Sequence, residues 1–127
     1  MPESTVLILS TLDDIFISLK MIQKRFNHIS SVDDFLSSED NIEKLDSISM
    51  RLLAIGEALK NIDKLTNNLL LKQYPQIEWK NIKGLRDILS HHYFDINADI
   101  IFDICDTKVD ELLSVIELII RDLQDKI

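Results

Sequence analysis

The sequence is poor in the residues that make turns. Only two glycines and two prolines occur among its 127 residues. Because sheets and mixed α/β folds depend on many turns, this scarcity predicts an all-α fold built from a few long helices. With so few glycines, the sequence also lacks the glycine-rich loops that bind dinucleotides or nucleoside triphosphates, which excludes those two kinds of site.

Cysteines and long apolar runs are equally scarce. Cys105 is the single cysteine, so an internal disulfide is excluded and a reducing, cytoplasmic compartment is favoured. Residues 1–5 lack the basic and apolar pattern of a signal peptide. No segment has the roughly 18 uncharged apolar residues that a membrane span requires. We therefore expect a cytoplasmic protein without a membrane partner, formed by a single domain over residues 1–127.

The charge is strongly negative but unevenly distributed. A formal net charge of −8 argues against general nucleic-acid binding, since contacts to phosphates dominate such affinity. Residues 60–86 nevertheless contain six basic and two acidic residues, whereas residues 95–127 contain nine acidic and three basic residues. Two interpretations remain open: two ordinary solvated faces, or one cationic patch on an otherwise repulsive surface.

Apolar residues recur at alternating spacings of three and four, which is the pattern of amphipathic helices. The three longest stripes are Leu12, Ile15, Leu19, Ile22 and Phe26; Leu45, Ile48, Leu52, Ile55, Leu59 and Ile62; and Val109, Leu112, Ile116, Ile119 and Leu123. A shorter fourth helix is predicted to carry Ile82, Leu85, Ile88 and Leu89 inward. The first and last stripes are wide enough to supply either core or a subunit interface.

Local signals refine this helical prediction. Ser31 and Asn97 are placed to act as N-caps of two short helices. Gly56 lies inside the second long stripe, where glycine is unfavourable, and close approach of a neighbouring helix is the best reason for it. Several long stripes joined by short polar breaks predict an antiparallel, up-and-down helical bundle.

Metal-binding motifs are missing from the helices. Neither the zinc motif H-E-x-x-H nor the Glu-x-x-His pairing of di-iron bundles is present. The adjacent His91 and His92 would point roughly 100° apart on a helix, which suits chelation poorly. We predict no metal and no cofactor.

Residues 84–94 hold the chemically richest segment, because it contains Arg86, two adjacent histidines and Tyr93. On a helical wheel, Ser90 and Tyr93 share the face of Arg86, while His92 lies on the apolar face and is read as packing near the core. His91 falls about 140° from Arg86. For the two residues to act together, the helix must end near His91 or a second chain must complete the site.

Arginine and histidine together suit cleavage of a phosphodiester. Arginine carries a permanent charge and binds a phosphate by two parallel hydrogen bonds. Histidine titrates near neutral pH and can take or give a proton. In RNA the 2′-hydroxyl is a built-in nucleophile, so no metal is required. On these residues alone, ordinary helix surface is the simpler interpretation.

Four segments in order resemble a known family. Arg86-x4-His91-x-Tyr93 resembles the R-x4-H-x-Y signature of HepT-like proteins, within the HEPN superfamily. Residues 55–58 look like the I-G-E-A segment of that family, and residues 74–80 resemble its Y-P-x-I-x-W stretch. The blocks 84–87 and 91–95 match its core.

The resemblance implies a helical bundle that forms a homodimer, with two motifs beside a shared cleft. It also implies a metal-independent endoribonuclease that acts on RNA, tRNA among the candidates, as the toxin of a toxin–antitoxin pair. The implied partner is a minimal nucleotidyltransferase antitoxin that attaches AMP to the motif tyrosine.

Matched by position, Arg86 would be the phosphate-binding catalytic residue, His91 the acid and base, and Tyr93 the modified residue, with Asp87 and Ser90 in support. Asp87 stands where the family often has asparagine, so it either orients Arg86 or weakens its grip on phosphate. The main alternative is a non-catalytic HEPN module that binds a nucleotidyltransferase or a nucleotide, which the net acidity favours. A helical adaptor with a coincidental motif is a third alternative.

Overall fold

The computed structural model describes residues 3–91 and 97–126, all of which lie in helices or short connections. The helices are α1 (Glu3–Phe26), α2 (Val32–Phe35), α3 (Glu39–Thr66), α4 (Trp79–His91), α5 (Ala98–Thr107) and α6 (Val109–Asp125), with a 3₁₀ turn at Leu71–Gln73. No β-strand occurs within these ranges. The predicted all-α fold is therefore confirmed.

Helix α3 is the longest element, with 28 residues, and contacts α1, α2, α4 and α5. Helix α1 also packs against α5 and α6, and α5 packs against α6. The core is formed by the stripes that the three-and-four spacing predicted. All six predicted positions of α3 are buried, as are four of the five in α1 and four of the five in α6: Leu12, Ile15, Leu19, Ile22, Leu45, Ile48, Leu52, Ile55, Leu59, Ile62, Val109, Leu112, Ile116 and Ile119.

The predicted helix caps are also present. The side chain of Ser31 accepts a hydrogen bond from the Asp34 backbone N–H, and that of Asn97 accepts one from the Ile100 N–H. Ser38 caps α3 in the same way through the Asn41 N–H at 3.1 Å. These caps satisfy backbone donors that a helix leaves unpaired at its first turn.

Ile88 corrects one part of the helical prediction. Its side chain was expected to point inward but is 42% exposed, whereas its neighbours Leu85 and Leu89 are buried. It lies at the rim of a groove between α4 and α5 that Leu85 and Ile100 also line. The wheel position of Ile88 is thus at the edge of the apolar stripe of α4, just outside the core.

Three phenylalanine rings close one end of the core, and we call them the aromatic cluster. Phe26 of α1 lies 6.0 Å from Phe35 of α2 and 5.3 Å from Phe102 of α5, measured between ring centroids. Phe35 and Phe102 are 6.4 Å apart and nearly perpendicular. The two contacts of Phe102 are edge-to-face, and such contacts add to the stabilisation that burial of the rings provides.

None of the described helices combines the length and the apolar character that crossing a membrane requires.

Candidate active site

The segment before α4 fixes where that helix begins. The Tyr74 carbonyl accepts a hydrogen bond from Nε1 of Trp79, the first residue of α4, at 2.9 Å. The Tyr74 hydroxyl donates to Oδ2 of Asp122 in α6 at 2.7 Å. Burial, followed by the hydrogen bond and the negative charge of Asp122, raises the pKa of Tyr74 to about 12. The Y-P-x-I-x-W segment therefore ties the start of α4 to α6.

Gly56 brings α3 and α4 into close contact. A Cβ atom at this position would lie 3.3 Å from the Ile82 carbonyl oxygen and 3.5 Å from that of Lys83. It would also lie 3.8 Å from the backbone nitrogen of Arg86. The predicted close approach at Gly56 is thus confirmed, and the helix it accommodates is the one that carries Arg86.

Arg86 stands at the edge of this crossing and forms an ion pair with α3. Its Nε contacts Oε1 of Glu57, and the two side chains are 50% and 46% exposed. Glu57 directly follows Gly56, so the residue that permits the approach and the residue that meets the arginine are neighbours in sequence. The exposed position of Arg86 keeps its charge within reach of a ligand in solvent.

A second ion pair lies one turn earlier on α4. Lys83 Nζ is 2.5 Å from Oδ2 of Asp63, and these side chains are only 27% and 13% exposed. We refer to Gly56, Glu57 and Asp63 of α3 with Lys83 and Arg86 of α4 as the α3–α4 seam. Two of the six basic residues in the 60–86 segment are therefore paired with carboxylates of α3. Asp63 is already counted in that segment, and Glu57 adds a negative charge from outside it, which weakens the interpretation of the segment as a cationic patch.

The remaining predicted site residues are placed less completely. Asp87 lies exposed on α4 beside Arg86. Ser90 and His91 belong to the last described turn of α4, while the structure describes the side chain of neither. His92 and Tyr93 lie outside the described residues. The structure thus positions Arg86 and leaves the roles of Ser90, His91 and Tyr93 as predictions.

Sequence reasoning gave no role to Glu57, which the structure places against Arg86. The I-G-E-A segment was recognised as a resemblance, but its glutamate was given no role. The sequence did contain a signal for Glu57. A glycine inside a helix indicates that a second helix packs closely there, so the carboxylate that directly follows Gly56 is expected to lie near that second helix. Its partner was not predictable, since a helical wheel describes one helix at a time.

Two other observations limit the chemistry of the described residues. Within residues 3–91 and 97–126, no group of three or more His, Cys, Asp or Glu side chains is arranged to hold a metal ion. Cys105 is buried, and burial raises the pKa of its thiol to about 12. At neutral pH this residue is a protonated thiol, which is a poor nucleophile.

The chain belongs to the HepT-like ribonuclease family. The family model described as "Ribonuclease HepT-like" matches residues 15–119, which is most of the chain. The matched span includes the α3–α4 seam and the whole Arg86-x4-His91-x-Tyr93 motif. The resemblance recognised from the sequence is therefore confirmed.

The chain is similar to several proteins that are named "Putative RNase". One from Methanocaldococcus jannaschii is 37% identical over 99 residues, which cover 78% of this chain and 76% of that protein. A second from the same organism is 35% identical over 75 residues, covering 59% and 61% of the two chains. A third is 26% identical over 110 residues, covering 80% and 88%. No solved structure matches the chain significantly.

Proposed function

We propose that this protein is a metal-independent endoribonuclease and the toxin of a toxin–antitoxin pair. The observation that carries the proposal is the placement of Arg86, which is half exposed on α4 and held by Glu57 at the Gly56 crossing. Membership of the HepT-like ribonuclease family supports RNA as the substrate. The proposed compartment is the cytoplasm, where RNA is abundant.

In the proposed reaction the substrate supplies its own nucleophile. His91 accepts the proton of the 2′-hydroxyl, whose oxygen attacks the adjacent phosphorus and displaces the 5′-oxygen of the next nucleotide. The leaving oxygen receives a proton from the imidazolium, which gives a 2′,3′-cyclic phosphate and a 5′-hydroxyl. Arg86 neutralises the charge that develops on the phosphoryl oxygens, a role that needs its permanent positive charge.

Single substitutions test this assignment. Arg86→Ala and His91→Ala are each expected to lower the RNA cleavage rate by about a hundredfold or more, with unchanged helicity and melting temperature. Cleavage by the wild type should persist in EDTA. Lys126→Ala is the matched control, because it removes an exposed positive charge outside both α4 and the basic 60–86 segment. Wild-type activity in His91→Ala, or strict dependence on a divalent ion, would falsify the mechanism.

The active form in this proposal is a homodimer of antiparallel up-and-down bundles, with two motifs lining one cleft across a two-fold axis. The wheel separation of about 140° between Arg86 and His91 supports a composite site. Exposed apolar side chains on α1, namely Val6, Leu7 and Ile17, supply surface for an interface.

Mixing of inactive subunits tests the composite site. If Arg86 and His91 act across the interface, a heterodimer of Arg86→Ala and His91→Ala subunits contains one intact site and regains activity. Light scattering measures the assembly in parallel. An active protein that remains monomeric at micromolar concentration contradicts this part of the proposal.

Tyr93 is proposed as the point of control by a nucleotidyltransferase antitoxin. An AMP group on its hydroxyl would bring a bulky anion to the face of Arg86 and so exclude the RNA phosphate. Tyr93→Phe should keep much of its ribonuclease activity and escape neutralisation, and mass spectrometry of the co-expressed wild type should find AMP on the Tyr93 peptide. Full neutralisation of Tyr93→Phe would mean that the antitoxin acts by binding alone.

The second candidate function is a non-catalytic HEPN module that binds a nucleotidyltransferase or a nucleotide. The net charge of −8 favours it, and so does Asp87, an acidic residue directly beside Arg86. Purified protein that binds the nucleotidyltransferase but cleaves no RNA over a range of substrates would favour this alternative.

A further inference from the structure

We propose that Glu57 is a positioning residue for Arg86, and that it holds the guanidinium with its outer edge directed toward the RNA phosphate. This inference rests on the proposed ribonuclease function. In the proposed arrangement, Glu57 contacts neither the RNA nor the reacting atoms. It acts through Arg86, from a position on α3 that the Gly56 crossing sets beside α4.

The contact between Glu57 and Arg86 involves only one side of the guanidinium. Glu57 meets Arg86 at Nε, which is the inner nitrogen of the guanidinium. A guanidinium is planar and presents five N–H donors in a fixed fork, one on Nε and four on the two terminal nitrogens. A carboxylate at Nε therefore leaves the edge between the terminal nitrogens for a phosphate, which binds there by two parallel hydrogen bonds. Arg86 can thus hold Glu57 and a phosphate together.

The two ion pairs in the seam differ in their exposure to solvent. Lys83 and Asp63 are largely shielded from solvent, so their pair is suited to hold α3 against α4. Arg86 and Glu57 are about half exposed, and an ion pair so accessible to water and salt adds little to folding stability. What such a pair does provide is orientation of a long side chain that otherwise samples many rotamers.

The close contact of α3 and α4 at Gly56 fixes the backbone positions of Glu57 and Arg86. Because the α3 backbone at Gly56 lies against the backbone of Arg86, the origins of both side chains are fixed relative to each other. A glutamate one residue after this contact reaches the base of the Arg86 guanidinium without rearrangement of either helix. Orientation before substrate binding is the kind of preorganisation that lowers a reaction barrier.

The central test separates kcat from KM in two Glu57 variants. Glu57→Ala is expected to lower kcat about tenfold while KM changes less than about twofold, because the arginine loses its orientation and keeps its charge. Glu57→Gln should recover part of kcat, since its amide oxygen can still accept from Nε. Melting temperatures of both variants should equal that of the wild type. A wild-type kcat in Glu57→Ala overturns the proposal.

Asp63→Asn is the matched control, because it weakens the other ion pair between the same two helices. It should lower the melting temperature and leave kcat unchanged at temperatures where the variant is folded. If Asp63→Asn lowers kcat as much as Glu57→Ala does, the seam acts only as a structural unit and Glu57 has no special role. If Glu57→Ala raises kcat and lowers KM, Glu57 competes with RNA for Arg86, which also overturns the proposal.

A double substitution shows whether Glu57 works through Arg86. Lysine has no counterpart to the Nε edge, so Glu57→Ala should have almost no further effect in an Arg86→Lys background under single-turnover conditions with excess enzyme. A full tenfold effect in that background contradicts the proposal. Full activity of Arg86→Ala would overturn the proposed function together with this inference, whereas an inactive Arg86→Ala beside a fully active Glu57→Ala would overturn the inference alone.

Discussion

The aromatic cluster and the α3–α4 seam join helices by opposite means. Phe26, Phe35 and Phe102 meet ring against ring, and Phe35 has no exposed surface. In the seam a glycine removes the side chain at the contact, and charged groups line its edge. The first arrangement mainly stabilises, because Phe35 is fully buried, Phe26 and Phe102 are partly buried, and none of the three rings carries a polar or charged group. The second leaves Arg86 accessible while fixing its backbone, which suits the phosphate-binding role proposed for it.

The largest effect is expected where the aromatic cluster is broken. Phe35→Ala removes a fully buried ring and should destabilise the protein by about 3–5 kcal/mol, measured by urea unfolding. At temperatures where the variant remains folded, its RNA cleavage rate should match the wild type, because the seam is not altered. A selective loss of kcat in the folded variant would show that the two regions are coupled.

A smaller effect is expected where Tyr74 ties the start of α4 to α6. Tyr74→Phe removes a hydrogen bond to the Asp122 carboxylate and should cost about 1.5–3 kcal/mol of unfolding free energy. The pKa of Tyr74 is about 12 in the folded protein and ordinarily near 10, so its phenol ionises first in the unfolded chain. The stabilisation is therefore complete below about pH 10 and is lost as the pH rises toward about 12.

The pH dependence has an internal control. Other groups titrate above pH 10, so the measured quantity is the difference in unfolding free energy between wild type and Tyr74→Phe at each pH. That difference should shrink as the pH rises from 10 to 12. A constant difference over this range would mean that the hydroxyl contributes equally in both ionisation states, contrary to the contact with Asp122.

The smallest effects on stability are expected at the two glycines. A side chain added at Gly56 would meet the backbone of α4, whereas one added at Gly84 would enter open space. A Cβ at Gly84 would meet nothing within 4 Å, so Gly84→Ala should stabilise α4 by about 0.5–1 kcal/mol through helix propensity. At Gly56 the same gain is offset by the tight 3.3 Å contact with the Ile82 carbonyl oxygen. Gly56→Ala should therefore change stability by less than about 1 kcal/mol.

Activity separates the two glycine variants more clearly than stability does. Gly56→Ala must displace α4 by a few tenths of an ångström, and Arg86 moves with it, so the cleavage rate should fall about tenfold. Gly84→Ala should cleave RNA at the wild-type rate. Equal rates for the two variants would show that the close approach at Gly56 is not needed for the position of Arg86.

The elements of the fold were predictable because their causes are local. Three-and-four spacing identified the buried faces of α1, α3 and α6, and the caps at Ser31 and Asn97 depend on residues only three positions away. Gly56 was also interpretable, since glycine inside a helix needs a reason and close packing is the commonest. The prediction that Ile88 points into the core was wrong. A helical wheel gives the direction of a side chain around its own helix, but it does not show how much of that side chain a neighbouring helix covers.

The candidate site was predictable only in part. Arg86 was recognised from its motif, and its exposure on a helix face agrees with the wheel. The ion pairs of the seam were not foreseen, because they depend on how two helices cross, which no single-helix pattern contains. His91 and Tyr93 were assigned by resemblance to the family, and their roles remain predictions.

The separation of contacts along the chain also implies an order of folding. Asp63 and Lys83, which join α3 to α4, are 20 residues apart, whereas Gln23 and Asp110, which join α1 to α6, are 87 residues apart. Closing the longer loop costs about 1.3 kcal/mol more conformational entropy. The hairpin that carries Arg86 should therefore acquire hydrogen-exchange protection early during refolding, and the chain-wide closure of α1 onto α6 should follow it.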